Sequence, residues 1–381
     1  MATALTRESA EWMSDVVDFA REHLPPEKKL HLLKSFPMDI WKSMGDSGLL
    51  GISIAKTYGG MEQNAVNLSL SALALARESG SLGMCLSFLI HQMVARYIVQ
   101  NMGSDDQKKR YLPDLAKGLI TASLAVSEPE TFAHPKHIKT RAEKIKGGYL
   151  ISGEKSYLTN GPIADFFVVI AVTETLSEKK RFSAFIVPRS CKGLVVSPPL
   201  AIPFFRPAPH GGIRMDRCEV AEDALIGNEG TAFEDMVLRF RDVEDALMMG
   251  AVTGAFEKLS LLLTAMLRKK FPLPDGNLSM DLGKLKVMLD TARIIALESA
   301  AMLDSGQGHK EKTSLYLFFR DLAKDILVHM DLVVKNTGIE AVPLFQTIRD
   351  DLTASSRLGG HVAELKQIKI GKLFFNNPDR D

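Results

Sequence analysis

Cysteine is scarce in this chain. Cys85, Cys191 and Cys218 are the only three in 381 residues, and no two stand at a CxxC spacing. A disulfide framework and a structural zinc site are therefore set aside, no metal is expected, and a reducing cytoplasmic home is the expectation. An excess of either charge is missing too, since 47 basic and 46 acidic side chains leave a net +1. Nucleic-acid binding needs a concentrated basic surface, so no such partner is expected. No internal repeat and no low-complexity tract interrupts the chain. Long apolar runs are absent as well. The most apolar stretch, residues 246–255, is too short to span a bilayer, and no membrane insertion is expected. The first residues carry an acid early and lack a continuous apolar core, so they read as neither secretory signal nor transit peptide.

What remains is ordinary globular material, 46% hydrophobic and 24% charged, long enough for two or three compact units. Three regions differ in grammar. Residues 1–120 read as an all-α domain. Leu32, Leu33, Phe36, Ile40, Trp41 and Met44 recur at helical spacing, paired glycines at Gly59 and Gly60 mark a turn, and helices are expected over 64–79, 82–101 and 105–115. Residues 121–230 read as a β-domain. Short β-branched or aromatic runs at 120–126, 149–151, 166–172, 181–187 and 193–196 are separated by Gly, Pro or charged clusters. Residues 231–381 return to long helices, over 231–267, 282–305, 314–336 and 356–374, with Gly306 and Gly308 as a stop. Four such segments suggest a four-helix bundle. The fold class is thus α+β multidomain: helical domain, β-barrel-like domain, helical bundle.

Two motifs in the middle region carry more than packing. Leu124-Ala-Val-Ser-Glu-Pro129 is followed by Thr140-Arg-Ala142, and Gly153-Glu-Lys155 leads through Tyr157 and Thr159 to Asn160-Gly161. Together with Phe182–Pro188, Leu225–Gly230 and the segment Gln107–Pro113, these resemble the acyl-CoA dehydrogenase family over roughly residues 30 to 375. The resemblance implies an FAD-dependent oxidoreductase that removes an α-proton from an acyl thioester and passes the β-hydrogen to flavin N5. By the same resemblance, Val126 and Ser127 meet the flavin pyrimidine, Tyr157 lies along the ring and Thr159 donates to N5. Arg268, with Phe271, matches an Arg-x-x-Phe element that reaches the FAD pyrophosphate of a neighbouring subunit, work suited to a planar permanent cation. A homodimer or homotetramer is implied, and so is an electron-transfer flavoprotein as electron acceptor.

The base is the informative departure. Where many family members carry a C-terminal glutamate this chain has Arg357-Leu358-Gly359-Gly360, and Leu358 cannot accept a proton. A branch that includes isovaleryl- and long-chain-type members places the base on the first C-terminal helix, and counting back from Gly254 puts Glu244 there. Asp245 stands where the family has Arg, with Asp242 beside it. Asp242, Asp245 and Gly359 fall on the substrate side. Ala133 replaces a serine that touches both substrate and cofactor. Lys335-Asn-Thr-Gly338-Ile339 replaces a Gln-x-x-Gly-Gly element near the adenine, and Gly360 replaces a threonine of the cofactor site. His134, Lys136, His137 and Lys139 form a basic cluster that reads as a solvated loop or as a receiver for a CoA phosphate or an acidic carrier protein. The changes leave several outcomes open. One is dehydrogenation of an acyl-CoA, another of an acyl group on a carrier protein. Others are different flavin chemistry on the same scaffold, or a homologue without dehydrogenase activity.

Overall fold

The structure is a computed structural model, and it describes residues 7–130, 133–177, 179–306 and 309–376. N-terminal helices, a central sheet and C-terminal helices follow one another along the chain. The helices before the sheet are α1 (Arg7–His23), α2 (Met38–Asp46), α3 (Ala65–Ser79), α4 (Leu82–Met93) and α5 (Asp105–Ala116). The apolar face expected across residues 32–44 is broken: Pro37 cannot continue a helix from its N-terminal side, and α2 begins only after it. α4 runs on as a π-helix, Val94–Gln100. α5 opens on a capping box between Ser104 and Gln107. The Gln107 amide then donates to the carbonyls of Asp223 and Leu225 at 2.8 and 2.9 Å, joining this helix to the end of the sheet region.

Eight strands follow among the described residues: β1 (Ala122–Ala125), β2 (Arg141–Ile145), β3 (Gly148–Thr159), β4 (Phe166–Leu176), β5 (Lys179–Pro188), β6 (Leu194–Val196), β7 (His210–Ala221) and β8 (Leu225–Ile226). Their order is β6-β7-β3-β2-β4-β5-β8, with β1 parallel to β4, and no ladder joins the two ends among the described residues. Alternate residues of β3, β4, β5 and β7 supply one apolar layer around Tyr149, Phe167, Phe185 and Ile213, all buried.

Beyond the sheet the described residues form five α-helices where four segments were expected: α6 (Arg239–Lys270), α7 (Gly276–Ser305), α8 (His309–Thr337), α9 (Pro343–Arg357) and α10 (Gly360–Asn376). Pro343 at the first position of α9 starts a helix that the sequence reading had passed over. Gly306 closes α7 at φ +66°, as expected of a stop, while Gly308 lies outside the described residues.

By contact the chain divides into two compact units. One joins residues 22–64 with 83–244 and holds the whole sheet. The other joins 1–21, 65–82 and 245–381. Within the latter, α6 crosses α3 closely because Gly250 and Gly254 have no side chain. A Cβ at Gly254 would stand 2.1 Å from the Leu73 carbonyl oxygen and one at Gly250 2.5 Å from Ser69 Oγ. Two helical stretches, Leu82–Gln100 and Phe233–Lys270, are long and apolar enough to cross a membrane, so the short run at 246–255 belongs to a longer apolar helix. Their apolar windows are 89% and 67% buried inside the protein, which makes them core helices here.

Candidate active site

The site is built where β1 ends. Beyond Ala125 the chain leaves the sheet as Val126, Ser127 and Glu128, and three bonds from β3 hold this turn in place. Lys155 Nζ donates to the Val126 carbonyl at 2.9 Å and to Glu128 Oε1 at 3.0 Å, and the Ser156 amide donates to the Ser127 carbonyl at 2.9 Å. Glu128 also accepts from the Lys139 amide and from the Thr140 amide and hydroxyl at 2.6–2.9 Å. Burial alone would raise the Glu128 carboxyl, but the Lys155 charge and the Thr140 and Lys139 hydrogen bonds outweigh it and hold the group below the usual carboxylate range. Burial pushes the Lys155 ammonium down to about 8, against the pull of Glu128.

The ladder between β3 and β7 slips between Lys155 and Leu158. This bulge changes which face the residues present. Lys155 and Leu158 are buried, whereas Tyr157 sits at φ +58° with half of its surface exposed. A left-handed aromatic residue inside a strand is strained and persists only where its surroundings fix it. Thr159 ends the strand, and its carbonyl accepts from Ser123 Oγ at 2.7 Å. Asn160 then turns at φ +63° and its amide donates to the Ser87 carbonyl of α4 at 2.9 Å.

These pieces frame a small open cleft of about 140 Å³. Ile90, Leu124, Val126, Leu158, Val237 and Phe240 give it apolar walls. Ser127, Tyr157 and Thr159 contribute hydroxyls, and Ala133 lies at the same wall. Glu244, half-buried on α6, is the one carboxylate among the lining residues, and Arg241 the one cation. Six residues singled out from the sequence, Val126, Ser127, Ala133, Tyr157, Thr159 and Glu244, thus meet in one cleft.

The remaining candidates lie elsewhere. Asp242 is half-buried on α6 and does not line the cleft. Asp245 accepts from Lys366 Nζ at 2.8 Å, and that ammonium stands 5.1 Å from the Tyr316 ring. Burial, then the Asp245 charge, pushes the Tyr316 hydroxyl up to about 12. Arg320 donates to the Tyr316 hydroxyl and to the Ser356 and Leu358 carbonyls, so the turn carrying Gly359 and Gly360 closes over this polar cluster. Arg268 lies in the last turn of α6 with Phe271 just beyond it, Lys335 lies in the last turn of α8 with Gly338 just beyond it, and Lys270 Nζ joins the two helix ends by donating to the Thr337 and Gly338 carbonyls. On the altered loop the His134 and His137 rings lie 4.8 Å apart, and Lys180 donates to the Lys136 and Ile138 carbonyls. Phe132 of that loop lies outside the described residues.

Sequence reasoning gave no role to Arg241 and Phe240, although three and four residues before Glu244 they share its helix face, nor to Val237 in the π-helix Phe233–Leu238 just before α6. It quoted Glu128 and Lys155 inside the motifs without a role. Nothing in the local sequence shows that two charges on different strands share one buried pocket.

Comparison with known proteins gives consistent findings. Residues 6–119 match the model for the acyl-CoA dehydrogenase N-terminal domain, and residues 123–218 match that for the acyl-CoA dehydrogenase middle domain. The chain is 27% identical over 376 residues to a mitochondrial isovaleryl-CoA dehydrogenase of Solanum tuberosum, covering 96% of this chain and 90% of that one. It is 30% identical over 272 residues to an L-prolyl peptidyl-carrier-protein dehydrogenase of Pseudomonas fluorescens, covering 70% and 71%. In fold it resembles the butyryl-CoA dehydrogenase of Megasphaera elsdenii, with a TM-score of 0.87 at 18% identity over 98% of this chain and 100% of that one.

Proposed function

The chain belongs to the acyl-CoA dehydrogenase family of FAD-dependent oxidoreductases, and from that premise we propose that it α,β-dehydrogenates an acyl thioester in the cleft that Glu244 lines. One observation carries the reading: the one carboxylate among the described residues of the cleft shares it with Ser127, Tyr157 and Thr159. The donor set fits a flavin ring. The hydroxyl residues Ser127 and Thr159 line the cleft together with Tyr157, a half-exposed aromatic on a strained bulge, between apolar walls. Val126, Ser127, Tyr157 and Thr159 would hold the ring, with Arg268, Phe271, Lys335, Gly338 and Gly360 assigned to the rest of FAD by their match to the family. Bound there, FAD would supply the acceptor for the β-hydrogen as hydride.

Glu244 takes the α-proton in this reading. The carboxylate arrives on α6, a 32-residue helix, so its approach to the substrate is fixed by a rigid element. Lys155 and Ser156 fix the facing loop through the Val126 and Ser127 carbonyls. Ile90, Leu124, Val237 and Phe240 keep water from the reacting carbons. The reading extends to an electron-transfer flavoprotein as electron acceptor, a homodimer or homotetramer as working unit, and a cytoplasmic setting.

Anaerobic titration with a panel of acyl-CoA esters, followed by flavin bleaching, tests the proposal. At least one ester is expected to bleach the parent protein, and Glu244→Gln is expected to slow bleaching by about 10²–10⁴-fold. Unimpaired bleaching by the variant rejects the assignment. The likeness to a carrier-protein dehydrogenase favours a second reading, in which the acyl group rides on a carrier protein. That reading requires turnover with the carrier-loaded acyl group and little with the CoA ester.

A further inference from the structure

Arg241 and Glu244 are the two charged side chains among the described residues of the cleft, three residues apart on one face of α6. At that spacing opposite charges commonly pair along a helix. Here Arg241 forms no hydrogen bond or ion pair with any described residue, Glu244 included. Its neighbours on the same wall, Val237 and Phe240, are apolar. A half-buried arginine beside such residues has lost part of its hydration and gained no anion from the described residues in return, a state that an anion brought by the occupant would relieve.

We propose that Arg241 is a substrate-specificity residue that binds an oxyanion carried by the thioester substrate. The proposal rests on the dehydrogenase reading above, because it takes Glu244 to lie at the substrate's α-carbon. Three residues of helix advance about 4.5 Å along the axis, so a group held by Arg241 stands a limited number of bonds from that carbon. A carboxylate on the acyl chain falls within that reach, whereas the phosphate of a phosphopantetheine arm stands about fifteen bonds from the α-carbon. The carboxylate suits the guanidinium fork, which takes two oxygens at once.

Equilibrium binding separates the two sources without relying on turnover. Isothermal titration would compare the FAD-loaded parent and Arg241→Gln proteins. The probes are non-reactive thioether analogues of butyryl-CoA and glutaryl-CoA, and the butyryl analogue on phosphopantetheine and on pantetheine. Thermal melts of Arg241→Gln and Arg241→Lys check that both fold. The parent is expected to favour the glutaryl over the butyryl analogue by about tenfold or more, and Arg241→Gln to abolish that preference. Arg241→Lys should restore part of it. Loss of the glutaryl preference in the variant assigns the carboxylate, and loss of a phosphopantetheine preference alone overturns that assignment. In steady state the variant should raise KM for the favoured substrate and leave kcat nearly unchanged. Equal affinities of parent and variant for all four probes overturn the proposal, and so does an equal loss for all four. A parent that binds none of them overturns the dehydrogenase reading, and this proposal with it.

Discussion

Lys155 is a fully buried ammonium on β3, and its partner Glu128 is nearly as buried. The pair touches no part of the cleft surface, yet its bonds fix the Val126 and Ser127 turn that does. Glu128→Gln would leave the Lys155 charge buried without a counter-charge, which costs about 3–5 kcal/mol. Urea unfolding should show this loss, and replacing the pair together, Glu128→Leu with Lys155→Met, should recover much of it. A second residue sets the acid limb of stability. His91 lies buried beneath the edge of Trp41 with its Nε2 at 3.0 Å from the Leu115 carbonyl, and burial drives its pKa down to about 4 from an ordinary 6.5. Between these values the unfolded chain takes up a proton that the folded one refuses. Stability therefore falls as pH drops from 6.5 toward 4, by about 3 kcal/mol in full, and levels off below. Glu128, held below 4.5, contributes stability that is lost only in more acid solution, so the two windows can be told apart. His91→Gln should flatten the Tm profile between pH 6.5 and 4.5; an unchanged slope would mean another group sets it.

At the scale of elements, what the sequence showed and what it hid follow from physical differences. α3, α4 and α5 were legible because their apolar spacing and caps are local signals. β4 and β5 were legible as buried β-branched runs. β2, Arg141–Ile145, and β7, His210–Ala221, went unread because adjacent charges break their alternation, at Glu143-Lys144 and Asp216-Arg217, and β7 carries Gly211 and Gly212 near its start. Their strand character comes from pairing with β3, a long-range property. β3 was read only over 149–151, since its outer half carries a bulge that breaks the alternation. That same bulge turns Tyr157 toward the cleft, so the stretch that defeats strand grammar is the one that motif resemblance picks out. Arg241 was hidden for the opposite reason: a charged residue on a helix reads as solvated until a cleft is seen beside it.

At the scale of the whole molecule, the C-terminal helices leave a large apolar surface uncovered. Met280, Val287 and Ile294 recur every seven residues along α7, all more than half exposed. Phe318 and Val328 on α8 and Leu365, Ile368, Phe374 and Phe375 on α10 are exposed to a similar degree. Scattered exposed leucines need no explanation, but a seven-residue stripe is the pattern of a helix that packs against another. The oligomer proposed above would cover it. The same assembly would give Arg268, exposed at the end of α6, a neighbouring subunit's cofactor to reach. Sedimentation of the parent protein should then show a dimer or tetramer. Val287→Asp with Ile294→Asp should yield monomers, because each charge costs little on a free surface and several kcal/mol inside an interface. If Arg268 acts across that interface, the monomeric variant should also release flavin on gel filtration while its thermal melt stays cooperative. A monomeric parent that retains its flavin would remove both roles at once.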